Sequence, residues 1–494
     1  MTNFLSNYGT SLSLFTDFYQ LTMANAYWKS GLGSKEAVFH LYFRQHPFQG
    51  GYAIAAGLEY VIDYIERFRF DESDLEYLLS LKQPDGDAYF SEGFIDYLRK
   101  MRFSCDIDAI PEGTVVFAQE PMLRVTGPII QCQLLESVLL NIVNFQTLIA
   151  TKAARMCRAV GDDGVLEFGL RRAQGIDGAL TASRAAYIGG CSATSNVLAG
   201  KLFGIPVKGT MAHSWVMAFD DEFESFQEYA RAMPGNCVFL VDTYDSIKGT
   251  KKAIEVGKWL REQGKEFLGI RLDSGDLTHL SRECRNLLDE AGFPEAKIFA
   301  SNDLDEYLLE DLKQQGAQIA VWGVGTRLVT AKDQAALGGV YKLSAIRNPE
   351  GEWHPRLKLS EQISKVSTPG VLQVRRWYSN GLAEMDVIYD ESQDNDALNF
   401  AIDPMDVTRR KKAAKEWTYE DLLQPIFRAG KLLYKTPSLE EIRERVLRQM
   451  ECIHYGVLRY MNPHQYVVGL DPKLHALKIQ LITKIREKNE LSDD

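Results

Sequence analysis

Between residues 165 and 326 one pattern recurs, a short apolar run ending in glycine or polar residues and then a helical stretch of about a dozen residues or more. The runs are VLEF (165–168), GGCSA (189–193), IPVKGT (205–210), CVFLVDT (237–243), FLGIRLD (267–273), KIFASND (297–303) and IAVWGVGT (319–326), with GVYKLSA (339–345) as a candidate eighth. Strands that alternate with helices pair in parallel, and seven or eight such units in about 180 residues predict a closed or nearly closed parallel barrel. The alternative is an open doubly wound sheet, which wants a glycine-rich turn after its first strand; none is present.

Barrel enzymes carry their chemistry in the turns after the strands, so the residues there matter most. They are Arg171, Ser195, His213, Asp242, Asp273, Asn302 with Asp303, and Gly325 with Thr326. Taken singly, each reads more readily as a turn former or a helix cap than as a site residue. Their coincidence at the ends of successive strands predicts a shared face. His213 is placed in the turn between IPVKGT and a helix-like run from Ser214 to Ala232; the plain alternative is that it is one of eight ordinary histidines.

The chemistry available on that face is anionic recognition. Gly323-Val324-Gly325-Thr326 offers unhindered backbone N–H groups, a hydroxyl and a helix start, the means by which barrels hold phosphate near their last strands. Arg271 and Asp273, two apart on one strand, face the same side and set a cation and a carboxylate together. Asp276 lies in the adjoining loop, and hard oxygen ligands of this kind suit Mg²⁺. The competing reading makes Arg271 and Asp273 a structural ion pair.

Outside the repeat, Thr16–Ser30 has helical apolar spacing and opens on Thr16-Asp17, placing Tyr19 in a first turn. A strand is predicted over 37–43, a helix over 52–68, an acidic helical region to Arg102 and two antiparallel strands within 113–126. A long helix without Gly or Pro spans 133–158 and presents an apolar stripe. After Ile346 the repeat stops. Residues 390–396 (DESQDND) read as an exposed loop, Arg409-Arg410-Lys411-Lys412 as a solvated helix face, Ser438-Leu439-Glu440-Glu441 as a capping box, and 472–488 as a final helix. The implied domains are 1–132, 133–345 and 346–494.

Composition narrows the partners. A net charge of −11 argues against a nucleic-acid backbone, which calls for clustered cations. The seven cysteines fall into no CxxC or Cys/His ligand spacing and read as reduced thiols, and no signal peptide or membrane-length apolar stretch is evident, so a cytoplasmic chain without membrane attachment is expected.

The stretches TDFYQLTMANAY, EFGLRRAQGIDGA, KGTMAHSWVMAF, GIRLDSGDL, FASNDLDE and VGTRLVT…LGGVYKL occur in the order and spacing of the nicotinate phosphoribosyltransferases, and the chain resembles that family nearly end to end. The resemblance implies an irregular TIM-like β/α barrel with an α/β domain formed from the chain's N-terminal and C-terminal segments, and a head-to-tail homodimer with shared sites. It implies that nicotinate and 5-phosphoribosyl 1-diphosphate (PRPP) are joined into nicotinate mononucleotide and diphosphate while ATP is hydrolysed, with Mg²⁺ as cofactor, at the first step of NAD salvage. By the same resemblance His213 is the phosphorylated histidine, Tyr19 an aromatic lent to the neighbouring subunit's pyridine ring, and Phe168 the opposing aromatic. Thr210 and Arg271 contact nicotinate, Arg171 the product phosphate, and Gly325 and Thr326 the PRPP phosphate. Asp273 lies beside the ribose and, with Asp276, is the expected metal ligand; Ser301 and Asn302 complete the substrate-binding set. Ser195 lies near where nicotinamide-using relatives carry an aspartate. A nicotinamide or quinolinate transferase and a non-catalytic ligand-binding barrel are the rival readings.

Overall fold

The computed structural model describes residues 8–393 and 398–490. Two compact units divide the chain, one built from residues 1–148 together with 336–494 and the other from 149–335. Residues 339–345, read from the sequence as a candidate eighth barrel strand, fall in the first of these units, and the reason lies in strand partnership.

In the unit of residues 149–335, six parallel strands stand in the order Ala193–Thr194, Gly164–Glu167, Val321–Val324, Lys297–Ser301, Gly269–Leu272, Val238–Leu240. The first strand in sequence lies beside the last, as barrel topology requires. The sheet breaks between Ala193–Thr194 and Val238–Leu240. There the expected IPVKGT strand supplies one bridge, Thr194 to Val207, so the hydrogen-bonded sheet has six strands rather than a closed ring of seven or eight. Apolar burial fixes the strands: Ile270 and Leu272 are fully buried while Arg271 between them turns to the other side. Gly269, at φ +145°, has Lys297 carbonyl where a Cβ would stand, so the parallel pairing at this point admits only glycine.

The helices that follow the strands are capped by side chains from the strand ends. Asp245 accepts from Lys248 N at 2.8 Å, Asp276 from His279 N at 3.0 Å and Asp305 from Leu308 N at 2.9 Å. The expected run from Ser214 to Ala232 divides into His213–Val216 and Glu222–Ala232, and His213 is therefore the first residue of a short helix rather than a turn residue.

In the other unit a seven-stranded antiparallel sheet combines both ends of the chain, in the order Trp353–Pro355, Gly339–Arg347, Glu36–Phe43, Leu123–Pro128, Asp106–Ala109, Gln424–Arg428, Lys431–Leu432. Gly339–Arg347 is a strand, as its sequence predicts, but it pairs with Glu36–Phe43 and is not an eighth barrel strand. A six-stranded sheet is built from residues 372–470, and in it Arg410–Lys412 is an edge strand on Phe400–Ile402, which corrects the helix-face reading of the basic run. Lys411 is drawn in by Glu384 at 2.7 Å. The predicted helix over 52–68 is a two-residue strand, Ala53–Ile54, and a helix Leu58–Arg67, separated by Gly57 at φ +105°. The strands Val115–Val116 and Leu123–Pro128 form as expected yet pair with other segments, not with each other. The predicted helix over 133–158 is two, Ile129–Leu134 and Glu136–Val160. Ser438 does make the capping box with Glu441 and opens Leu439–Glu451. Asp390 is the buried end of a strand, accepting from Val371 N, and so is no exposed loop residue; residues 394–396 of that loop fall outside the described residues.

All seven cysteines are free thiols. No helix among the described residues is long and apolar enough to cross a membrane.

Candidate active site

At the carboxyl ends of the parallel strands a cavity of about 530 Å³ opens, lined by residues that successive strands deliver. Phe168, Arg171 and Arg172 follow Gly164–Glu167, Ser195 follows Ala193–Thr194, and Thr210 and His213 come from the segment after the Val207 bridge. Arg271 and Asp273 come from Gly269–Leu272 and its end, Ser301, Asn302 and Asp303 from Lys297–Ser301, and Gly325 and Thr326 from Val321–Val324.

Arg271 is the hub. Its Nε donates to Ser301 Oγ at 2.8 Å, Nη1 to Thr210 Oγ1 at 3.0 Å and Nη2 to Asp273 Oδ1 at 2.8 Å. Ser301 Oγ donates in turn to Asp273 Oδ1. A guanidinium has five N–H groups, so three engaged donors leave two for a ligand anion. The ion pair expected as the plain alternative therefore exists, and it is also the wall of the cavity. The Phe168 ring stands 5.7 Å from the guanidinium carbon, within cation–π range, and passes over Gly323 so closely that a Cβ there would meet it at 2.8 Å. Gly323 thus makes room for an aromatic ring at the head of the GVGT stretch, whose Gly325 and Thr326 also line the cavity.

Behind this wall two carboxylates hold the backbone. Glu167, 1% exposed, accepts from Gly169 N, from Ser183 Oγ at 2.9 Å and from Thr194 Oγ1 at 2.5 Å, which fixes the turn that carries Phe168 and Arg171. Asp242 Oδ2 accepts from Asp273 N at 2.8 Å and from Ser274 Oγ at 2.7 Å, while its buried Oδ1 takes no hydrogen bond among the described residues. His213 Nδ1 lies 3.1 Å from Thr243 Oγ1, and Nε2 faces Asp273 Oδ2 at 3.9 Å.

The cavity thus gathers Phe168, Arg171, Ser195, Thr210, His213, Arg271, Asp273, Ser301, Asn302, Gly325 and Thr326 from the sequence-derived set. Tyr19 and Asp276 are not among its lining residues. Tyr19 belongs to the other unit, on Phe18–Lys29, 48% exposed, with burial raising its phenol above the usual range. Asp276 caps Leu277–Glu290. Among the described residues no three His, Cys, Asp or Glu side chains come together in a metal-holding group; the cavity offers the Asp273 and Asp303 carboxylates, a sparse set of the kind that holds Mg²⁺ together with substrate phosphates. Sequence reasoning passed over Glu167 and Thr243 and named Asp242 and Asp303 only as strand ends; the signal was available in that position, since each lies within a few residues of a carboxyl end.

Models of the nicotinate phosphoribosyltransferase N-terminal domain, family and C-terminal domain match residues 14–144, 164–365 and 373–478. A nicotinate phosphoribosyltransferase of Bacillus subtilis is 46% identical over 97% of both chains. The crystal structure of human nicotinic acid phosphoribosyltransferase superposes with a TM-score of 0.82 at 32% identity, covering 94% of this chain and 99% of that one. A nicotinate-nucleotide pyrophosphorylase structure from Pyrococcus furiosus, at 21% identity and a TM-score of 0.68, shares the fold.

Proposed function

Because the chain belongs to the nicotinate phosphoribosyltransferase family, we propose that the cavity at its parallel strand ends joins nicotinate to PRPP with ATP hydrolysis, the entry of nicotinate into NAD synthesis. The observation that carries this reading is Arg271, held by Thr210, Ser301 and Asp273 with two N–H groups to spare beside the Phe168 ring. A planar aromatic carboxylate is the ligand such a pairing suits.

The pyridine nitrogen attacks the anomeric carbon with its lone pair as the bond to diphosphate breaks, through an oxocarbenium-like state. That nitrogen carries no proton, so no general base is required. The protein's work is alignment and charge. Phe168 and Arg271 orient the ring, Asp273 Oδ2 faces the positive charge that develops on the ribose, and Arg171, Arg172, Asn302 and Thr326 supply donors to the phosphates. Mg²⁺ would arrive with PRPP, and Asp273 on the cavity wall would share it with the substrate phosphates, with Asp276 in the adjoining loop as the second expected carboxylate.

His213 is the phosphoryl acceptor from ATP, coupling hydrolysis to binding rather than breaking the glycosidic bond. A neutral imidazole is suited to that role, and its place on the cavity wall supports it. The exposed Tyr19 completes a neighbouring subunit's site in a homodimer, opposite that subunit's Phe168. The six strands form an irregular barrel, and the enzyme acts in the cytoplasm.

The test is a product assay with nicotinate, PRPP and Mg²⁺, with and without ATP, beside nicotinamide and quinolinate. Nicotinate turnover stimulated by ATP supports the assignment. Turnover of nicotinamide or quinolinate alone, or PRPP binding without diphosphate release, overturns it.

A further inference from the structure

His213 stands on a poorly constrained support. It opens a helix of only four residues, and its side chain is 40% exposed. A ring in that position turns freely about its side-chain bonds unless something holds it. Asp273 Oδ2, at 3.9 Å from Nε2, is beyond hydrogen-bond reach. Thr243 Oγ1, at 3.1 Å from Nδ1, makes the one hydrogen bond to the ring among the described residues.

Thr243 is well placed to act as a fixed point. It follows Asp242 at the end of Val238–Leu240, and Asp242 grips Asp273 N and Ser274 Oγ. Two consecutive residues of one strand end therefore set both the imidazole and the carboxylate that it faces. A threonine is β-branched and stiff at χ1, and its hydroxyl both donates and accepts, so it stays on Nδ1 in either tautomer.

We propose that Thr243 is a positioning residue for His213, whose hydroxyl holds Nδ1 and keeps Nε2 turned toward Asp273 in the orientation from which the imidazole takes and releases the phosphoryl group. The proposal rests on the phosphoryl-acceptor reading of His213. In that step a ring nitrogen's lone pair forms an N–P bond to the γ-phosphorus of ATP while the bond from that phosphorus to the bridging oxygen breaks, and ADP leaves with the electron pair. The other ring nitrogen keeps its proton. Water later forms a new O–P bond as the N–P bond breaks, releasing phosphate and one proton.

The experiment compares Thr243→Val, which keeps the shape and loses the hydroxyl, with Thr243→Ser, which keeps the hydroxyl, and uses His213→Ala as the control. Acid-labile label from γ-labelled ATP should enter Thr243→Val about tenfold more slowly than the wild type and Thr243→Ser within about twofold of it, the size of one net hydrogen bond. Wild-type labelling of Thr243→Val, or a Thr243→Ser as slow as Thr243→Val, overturns the proposal. Should the valine variant not fold, Thr243→Ala takes its place with the same readouts. Label surviving in His213→Ala defeats the acceptor reading itself. Imidazole ¹⁵N spectra separate the two failures, because they report the ring without ATP: the hydrogen-bonded Nδ1 signal of His213 should be lost in Thr243→Val, and unchanged spectra overturn the positioning role.

Discussion

Arg271 Nη2 lies 2.8 Å from Asp273 Oδ1, and the two residues are held in this pairing by Ser301, which bonds both. The ion pair leaves the guanidinium rigid and two of its N–H groups open to a ligand. Arg271→Lys keeps the charge but replaces a planar fork by a point charge that cannot reach Thr210, Ser301 and Asp273 together. The expected result is a loss of about 100-fold in kcat/KM for nicotinate, chiefly in KM, in line with the loss of charge-assisted hydrogen bonds. Steady-state kinetics with saturating PRPP checks this, and a KM within twofold of the wild type would remove Arg271 from nicotinate recognition.

Glu167 acts from behind the cavity. It faces three donors, Gly169 N, Ser183 Oγ and Thr194 Oγ1, and accepts from all of them. Glu167→Gln puts an NH₂ group against donors at nearly unchanged volume. The cost is about 2 kcal/mol of stability, the size of a buried unsatisfied polar group, together with a displaced Phe168 turn. Thermal unfolding should show a lower midpoint, and nicotinate turnover should fall even at temperatures where the variant is folded. A variant with the wild-type midpoint and turnover would deny Glu167 this function.

Most of this site was legible because strand ends are marked in sequence. Arg271, Asp273, Ser301 and Thr326 each follow or close an apolar run, and position alone put them on one face. Partnership was not legible. Gly339–Arg347 reads as a strand from its own residues, but nothing local says that it pairs with Glu36–Phe43, some 300 residues earlier, rather than with the parallel strands. Arg410–Lys412 carries no periodic apolar signal, so charge suggested a helix face where an edge strand lies. Asp276 and Asp273 look alike in sequence; only the helix that begins at Leu277 makes one a cap and leaves the other in the cavity. Thr243 was missed because its partner is 30 residues away and neither residue advertises the contact.

Tyr19 tests whether sites are shared between subunits. It is exposed together with Phe15, Phe18 and Met23, an apolar group on and just before one helix. If Tyr19 completes a neighbour's site, Tyr19→Ala and Asp273→Ala are each inactive alone but complement when mixed. Random exchange makes about half of the dimers mixed, each with one intact site of two, so about a quarter of wild-type activity should return. Native mass spectrometry verifies the exchange; no recovery after it counts against a shared site.

Lys478 supplies a pH dependence that is independent of catalysis. It sits 9% exposed on Pro472–Glu490, with Nζ near Val366 O at 3.4 Å and Thr368 Oγ1 at 3.2 Å, and burial without a compensating charge lowers its ammonium to about 8 from 10.5. The folded state therefore gives up this proton more readily than the unfolded chain does. Between pH 8 and 10.5 the unfolded chain binds more protons here, so this group's contribution to stability rises with pH through that window, and below pH 8 its full penalty is present. That penalty is about 3 kcal/mol, the free energy that separates titration at about 8 from titration at 10.5. Lys478→Met keeps the aliphatic length and removes the charge. It should raise the unfolding midpoint at pH 7 by a few degrees, and its advantage over the wild type should shrink steadily from pH 8 to 10.5. Paired unfolding curves across that range decide the matter: a gap that stays constant with pH would mean that Lys478 does not titrate in the folded protein as its burial requires.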